Sequence, residues 1–225
     1  MLLLAGVAHA QEKDARWSVS FAPLGLIDDL SFPTIQAGAE FRFSQRVAVF
    51  TELGVKYRKS MFERSGDSSF LPSRGFKWKG EVRISGIAPV LGWSAEWLKG
   101  IYGGFNVFYN HDEYNTEISY YAMPDSVNRK KDAFGVRKSV LGFNFLLGQR
   151  IPLKSKRLWL DVYVGVGGRV RFYSSVHKEF RQGVDEFEDD AVDVTIEGIR
   201  DRADAKGGTS ALPHITAGFR LCLQL

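Results

Sequence analysis

The sequence predicts an all-β protein: an antiparallel, up-and-down transmembrane β-barrel of about eight strands. Three observations predict it. Apolar and polar residues alternate through segments of about ten residues, and a period of two makes strands with unlike faces. The connections between these segments differ systematically in length, short on one side and long on the other. Glycine (23 residues) and aromatics (13%) are abundant together, as in barrels where glycine relieves crowding and aromatics mark interfaces.

The first strand is expected near residues 16–24, with Trp17, Val19 and Phe21 on one face. The second, near 34–43, sets Ile35, Ala37, Ala39, Phe41 and Phe43 against Gln36, Gly38, Glu40 and Arg42. A tight turn at Gln45 leads to the third, 46–57, with Val47, Val49, Leu53, Val55 and Tyr57 against Glu52, Gly54 and Lys56. The fourth, 77–85, alternates Trp78, Gly80, Val82 and Ile84 with Lys77, Lys79, Glu81 and Arg83. The fifth, 101–110, carries Phe105, Val107 and Tyr109 on its apolar face, and the sixth, 140–151, carries Leu141, Phe143, Phe145 and Leu147. After a short turn at 152–156, the seventh, 158–173, sets Val162, Val164, Val166 and Phe172 against Asp161, Arg169 and Arg171. The last, 212–225, sets Ile215, Phe219, Leu221 and Leu223 against His214, Arg220 and Cys222. Connections at 58–76, 111–137 and 174–211 read as long loops; two fit this pattern less well, a short external loop at 25–33 and a connection at 87–100 that is long for a periplasmic turn and has room for a helical turn over 94–99. Short turns on one side and long loops on the other fit periplasmic and external ends.

Alternation alone also describes a soluble lipocalin-like barrel, whose apolar face points inward. Four features favour a membrane. Several strands reach the about 9–11 residues a tilted membrane strand needs, longer than the usual about 5–6. Trp17, Phe41, Phe43, Tyr57, Trp78, Tyr109 and Phe172 lie near strand ends, where interfacial aromatics belong. The opposite face mixes charges of both signs with glycine. The final strand can close on the first, leaving no edge in lipid. A Lys or Arg facing lipid at mid-depth costs roughly 2–4 kcal/mol. Glu40, Arg42, Glu52, Lys56, Lys79, Glu81, Arg83, Asp161, Arg169, Arg171 and Arg220 are therefore expected in the lumen, paired. An eight-stranded barrel is just wide enough for side chains to fill, so the lumen is expected to be plugged.

Residues 1–10 read as a truncated signal peptide: an apolar run from Leu2 to Val7, then the small-x-small Ala8-His9-Ala10, giving a mature start at Gln11. No later run of 18 apolar residues marks a transmembrane helix. Net charge is +4 with signs interspersed, so no basic stripe points to nucleic acid. The one cysteine, Cys222, excludes a disulfide framework and reads as structural.

The stretches 26–57, 77–84, 100–110, 158–171 and 212–225 resemble an uncharacterised domain-of-unknown-function family of small Gram-negative outer-membrane barrels, in the OmpA/OmpX-like class. The resemblance implies an integral outer-membrane location and insertion by the outer-membrane assembly machinery. It also implies contact with outer-membrane lipid and lipopolysaccharide. That family has no assigned activity, so no catalytic residue is carried over. The chain departs from many outer-membrane proteins in ending on Leu225 rather than an aromatic residue.

Ser175, His177 and Glu179, two apart, could share a strand face as a hydrolytic triad of the lipid A deacylase kind. Those enzymes carry the histidine before the serine, and a solvated strand extension is the simpler reading. The acidic stretch Asp185, Glu186, Glu188, Asp189, Asp190 and Asp193 lacks the spacing and central glycine of an EF-hand and reads as a solvated outer loop. Arg58, Lys59, Arg64, Arg129, Lys130 and Lys131 read as a solubilising loop surface, with direct contact to lipopolysaccharide phosphates the sharper alternative. Gly165–Gly168 lies inside a strand and opens no helix, so it is no phosphate loop. Arg169, Arg171 and Arg220 offer a lumenal anion site, with ion pairing the simpler expectation. No metal site and no cofactor are expected. The leading functional expectation is a monomeric, non-enzymatic barrel acting through its loops. Its rivals are a lipid A-modifying hydrolase, a small-solute channel and a soluble ligand-binding barrel.

Overall fold

The computed structural model of the chain describes residues 16–28, 31–60, 63, 70–87, 92, 100–123, 129–155, 157–187 and 206–225. Nine strands are found among them: β1 (Trp17–Phe21), β2 (Thr34–Arg42), β3 (Val47–Lys56), β4 (Arg74–Ser85), β5 (Ile101–Tyr121), β6 (Arg129–Pro152), β7 (Leu158–Val176), β8 (Glu186–Phe187) and β9 (Gly208–Gln224). Eight of them hydrogen-bond in a closed ring, every neighbour antiparallel. Its registers run Val19↔Ala39, Ala39↔Thr51, Thr51↔Gly80, Gly80↔Val107, Val107↔Phe143, Phe143↔Gly168, Gly168↔Pro213 and, closing it, Leu223↔Val19. The two-residue β8 stands outside the ring, pairing with the end of β5 through Tyr120↔Phe187.

The ring forms because period-two alternation gives each strand an apolar and a polar face, and the short β1–β9 ladder joins its two end strands. Outward positions are exposed and apolar: Val47, Val49, Leu53 and Val55 on β3, Leu141, Phe143, Phe145 and Leu147 on β6, Val162, Val164 and Val166 on β7. Inward positions are polar and buried; Arg83, Arg220, Glu81 and Asp161 are each at most 2% exposed. This inversion of the usual burial rule places charge where a soluble barrel keeps its apolar core. Inward glycines make room for inward rings. A Cβ on Gly148 would overlap the Tyr102 ring, and one on Gly38 would lie 2.6 Å from Phe50 Cζ.

Three expectations from the sequence are corrected. The 111–137 segment is not a loop: β5 and β6 continue paired from His111↔Ser139 to Tyr121↔Arg129, a hairpin that rises past the ring. The segment still alternates, but with its phase inverted: Tyr114, Ile118 and Tyr120 on β5 and Phe134 and Val136 on β6 take the face that is inward within the ring, while Glu113, Asn115, Glu117 and Ser119 take the other. Tyr114, Ile118, Tyr120, Phe134, Val136 and Phe180 form a small second core on this stem. Asp132 pins it, its Oδ2 accepting the backbone N–H groups of Glu179 and Phe180, each at 2.8 Å. Arg129, Lys130 and Lys131 accordingly sit on β6 rather than in a loop, with Lys131 3.0 Å from Glu117. The long 174–211 connection is shorter, because β7 extends to Val176 and β9 begins at Gly208. Finally, β1 stops at Phe21, and Pro23–Ile27 form a single 3-10 turn with proline at its start. The signal segment 1–10, the helical turn over 94–99, Arg64, Glu188, Asp189, Asp190 and Asp193 lie outside the described residues.

Candidate functional site: the interior of the ring

The interior has two halves. The half nearer the short turns is filled by one ion-pair network. Arg83 reaches Glu40 (2.9 Å), Glu81 (2.6 Å) and Asp161 (3.0 Å). Arg220 reaches Glu52 (2.8 Å), Glu81 (3.2 Å) and Asp161 (3.2 Å). Arg150 adds a 2.6 Å contact to Glu40, Arg42 a 3.3 Å contact to Glu40, and Lys79 a 3.1 Å contact to Glu52. The guanidinium carbons of Arg83 and Arg220 lie 4.4 and 4.3 Å from the Phe50 ring centre. Tyr102 and Tyr163 cover them at 4.9 and 4.1 Å. Tyr102 Oη donates to Asp161 at 2.9 Å. Buried charge is tolerable only when so paired and hydrogen-bonded.

The half nearer the loops holds a cavity of about 700 Å³. Glu52, Lys79, Tyr163, Phe108, Asn144 and His214 floor it. His214 Nδ1 lies 2.8 Å from Asn144 Oδ1, and its ring 4.8 Å from that of Phe108. Lys77, Asp112, Lys138, Arg169 and Arg171 are on its walls. The β1–β2 connection folds over it: Phe32 is buried, and Lys77 Nζ holds it through Asp28 (2.7 Å), the Phe32 carbonyl (2.8 Å) and the Phe32 ring (4.5 Å).

The eleven charges expected inside therefore divide. Glu40, Arg42, Glu52, Lys79, Glu81, Arg83, Asp161 and Arg220 join one network. Lys56 joins another at the loop end, contacting Asp112 at 2.7 Å and Glu63. Arg169 and Arg171 stand apart: no described carboxylate pairs with either, and both Nε atoms are buried without a hydrogen bond. Arg150, Phe50 and Tyr102 were not singled out from the sequence. Their signal was parity: each falls on the inward phase of its strand. Above the ring, Glu113 accepts from Arg74 and, at 3.1 Å, from Arg137; the Arg74 hydrogen bond, with the charge of both, holds its carboxyl below the usual range. Cys222 is buried and faces inward.

The seven aromatics expected at interfaces fall into two groups. Trp17, Phe41 and Phe43 cluster at the turn end, with centroids 4.8 and 4.9 Å apart. Tyr57, Trp78, Tyr109 and Phe172 lie toward the loop end, where Phe76 joins Tyr109 at 5.7 Å. Ser175, His177 and Glu179 do not make a triad. His177 takes a left-handed backbone (φ 62°) that ends the strand alternation, and its ring rests 5.2 Å from Phe70. Among the described residues no hydrogen bond links the three. No group of metal-ligating side chains is found among the described residues. No family model, no curated protein and no solved structure matches this chain.

Proposed function

We propose that the chain is an integral outer-membrane β-barrel of a Gram-negative bacterium, of the small OmpA/OmpX-like class it resembles. The outward belt carries the reading. Around the described ring, Val19, Val49, Val82, Phe105, Phe145, Val164 and Leu223 stand in a zone whose outward positions hold no Asp, Glu, Lys or Arg. A soluble monomer rarely exposes a contiguous apolar surface of this kind. The two aromatic groups fit its borders. Val49, beside Phe41, lies eight residues below Tyr57 on β3. At a rise of about 3.3 Å and a tilt of about 40°, that spans about 20 Å, near the about 25 Å apolar band of such barrels.

The packed network in the turn-end half supports a closed barrel rather than a channel. The separation of Ser175, His177 and Glu179 gives the hydrolase reading no catalytic geometry. The role we infer is therefore non-enzymatic: a monomeric barrel, inserted by the assembly machinery, that meets lipopolysaccharide and external partners through its loop end. The β5–β6 stem and its small core make that end a structured platform.

Membrane fractionation with a heat-modifiability gel tests this. The expected result is outer-membrane enrichment with a mobility shift on boiling. A soluble periplasmic protein without a shift would overturn it. In planar bilayers the purified protein is expected to give no steady conductance; stable channels would restore the solute-channel reading.

A further inference from the structure

From the membrane reading we infer that the loop-end cavity is a binding site for a single-chain anionic amphiphile, which enters sideways through a seam between β9 and β2. Three observations carry this. The first is charge. The cavity walls bear Lys77, Lys79, Lys138, Arg169 and Arg171 against the carboxylates of Asp28, Glu52 and Asp112. Those carboxylates are already engaged: Asp28 by Lys77, Glu52 by Lys79 and Arg220, Asp112 by Lys56. Arg169 and Arg171 are two apart on one strand and share its inward face, so both line one side of the cavity. Among the described residues they meet no counter-charge. A planar fork of donors matches a carboxylate or phosphate group.

The second observation is apolar lining. Leu24, Ile27, Phe108, Val140 and Ile215 share the cavity with these cations. A volume of about 700 Å³ lies within the range of pockets that enclose small ligands. It suits one head group and one chain, and excludes a whole multi-chain lipid.

The third is the seam. The β1–β9 ladder covers only Ser18–Phe21 against Leu221–Gln224. Above it, β9 from Gly208 to Arg220 pairs with β7 alone, and β2 from Thr34 to Gln36 pairs with β3 alone. The 3-10 turn Pro23–Ile27 lies across this gap, against both β2 and β9, held by Ala22 N–H to the Gln36 carbonyl at 3.2 Å. Its Ile27 is 70% exposed, and Ile215 across the gap 79%. The opening sits in the loop-end half of the apolar belt, so it faces the acyl chains of the outer leaflet. An anionic head then reaches Arg169 and Arg171 while the chain lies through the seam.

The test uses the full mature chain in phosphatidylcholine vesicles with a diazirine-bearing palmitate as photoprobe. Expected is saturable labelling that maps by mass spectrometry to residues of the 22–33 segment or of 212–219. Dodecyl phosphate is expected to compete, and dodecylphosphocholine at least about tenfold less well. The R169Q/R171Q variant is expected to lose labelling about tenfold, a loss comparable to one charge-assisted hydrogen bond. The R169K/R171K variant, which keeps the charge, is expected to retain most of it. Both variants are first checked for the heat-dependent mobility shift of the wild type. Labelling spread evenly over the outward belt and indifferent to R169Q/R171Q would mean ordinary boundary lipid and overturn the site. Competition by inorganic phosphate equal to that by dodecyl phosphate would mean a free-anion site and overturn the lateral route. Failure of the wild type to fractionate with the outer membrane would overturn the membrane reading itself, a result seen before any probe is added.

Discussion

In the turn-end half of the ring, Arg83 and Arg220 each meet three carboxylates and two aromatic faces. In the loop-end half, Arg169 and Arg171 meet none. The same residue type, on the same inward face of the same sheet, serves two ends. Where every charge is matched, the interior is solid and the arginines are structural. Where matching stops, space opens and the arginines are available. Residues that neutralise one another hold the wall; residues that do not mark where something else belongs.

The sharpest way to break this contrast is Arg220→Met. It leaves Glu52, Glu81 and Asp161 short of a partner in a closed interior, where losing one member of a buried pair costs about 3–5 kcal/mol. Urea unfolding in vesicles, followed by tryptophan fluorescence, is expected to show that loss. An unchanged midpoint would mean that the network is not what stabilises the turn-end half. Gly148→Ala comes next. Its new methyl meets Tyr102, which is tied to Asp161, and overpacking of this kind costs about 1–3 kcal/mol. The Tyr102→Phe variant separates crowding from the loss of that hydrogen bond.

Asp132→Ala moves the comparison outside the ring. Two N–H groups lose their acceptor, and a local cost of about 1–2 kcal/mol is expected. Limited proteolysis should cut the 177–187 segment sooner while the ring keeps its mobility shift. Asp185 tests the same region through pH. The backbone N–H of Arg181, with its side chain and the Met123 N–H, holds the Asp185 carboxyl below the ordinary aspartate range. A lowered folded value means the contact is complete at neutral pH. It is lost as pH falls through the unfolded and then the folded value. Faster amide exchange at Arg181 only in strong acid is the expected readout; early loss near pH 6 would contradict it. The smallest effect is Arg169→Gln, within about 0.5 kcal/mol of wild type, because it breaks no described ion pair. A large loss there would erase the distinction between the halves.

Much of the ring was legible in the sequence. Period-two alternation marked the phase of β2, β3, β4, β7 and β9, and with it the inward placing of Glu81, Arg83 and Asp161. Where the apolar residues switch to the inward face, the pattern no longer continues that of the ring, so the upper stem of β5 and β6 read as loop. Tyr114 and Phe134 pack there in a second core. The end of β1 was also illegible, because Ala22, Pro23 and Leu24 prolong the apolar run while Pro23 starts a 3-10 turn. Ion-pair partners were unreadable for another reason. Arg220 and Glu52 are far apart in sequence, and only closure of the ring puts them 2.8 Å apart. The absence of a counter-charge at Arg169 and Arg171 depends on the same three-dimensional neighbourhood. So did the cavity.

The short β1–β9 ladder also has a kinetic meaning. The β5–β6 ladder joins strands that follow one another in sequence and can zip along its whole length, whereas β1 must find β9 across nearly the entire chain for a few residues of pairing. Loop-closure entropy makes such a long-range, low-yield step late and slow. Folding is therefore expected to pass through an open, curled sheet whose two free edges are β1 and β9. The time spent in that state, more than the depth of the final energy well, sets how long the chain is vulnerable to pairing with a neighbour instead of with itself.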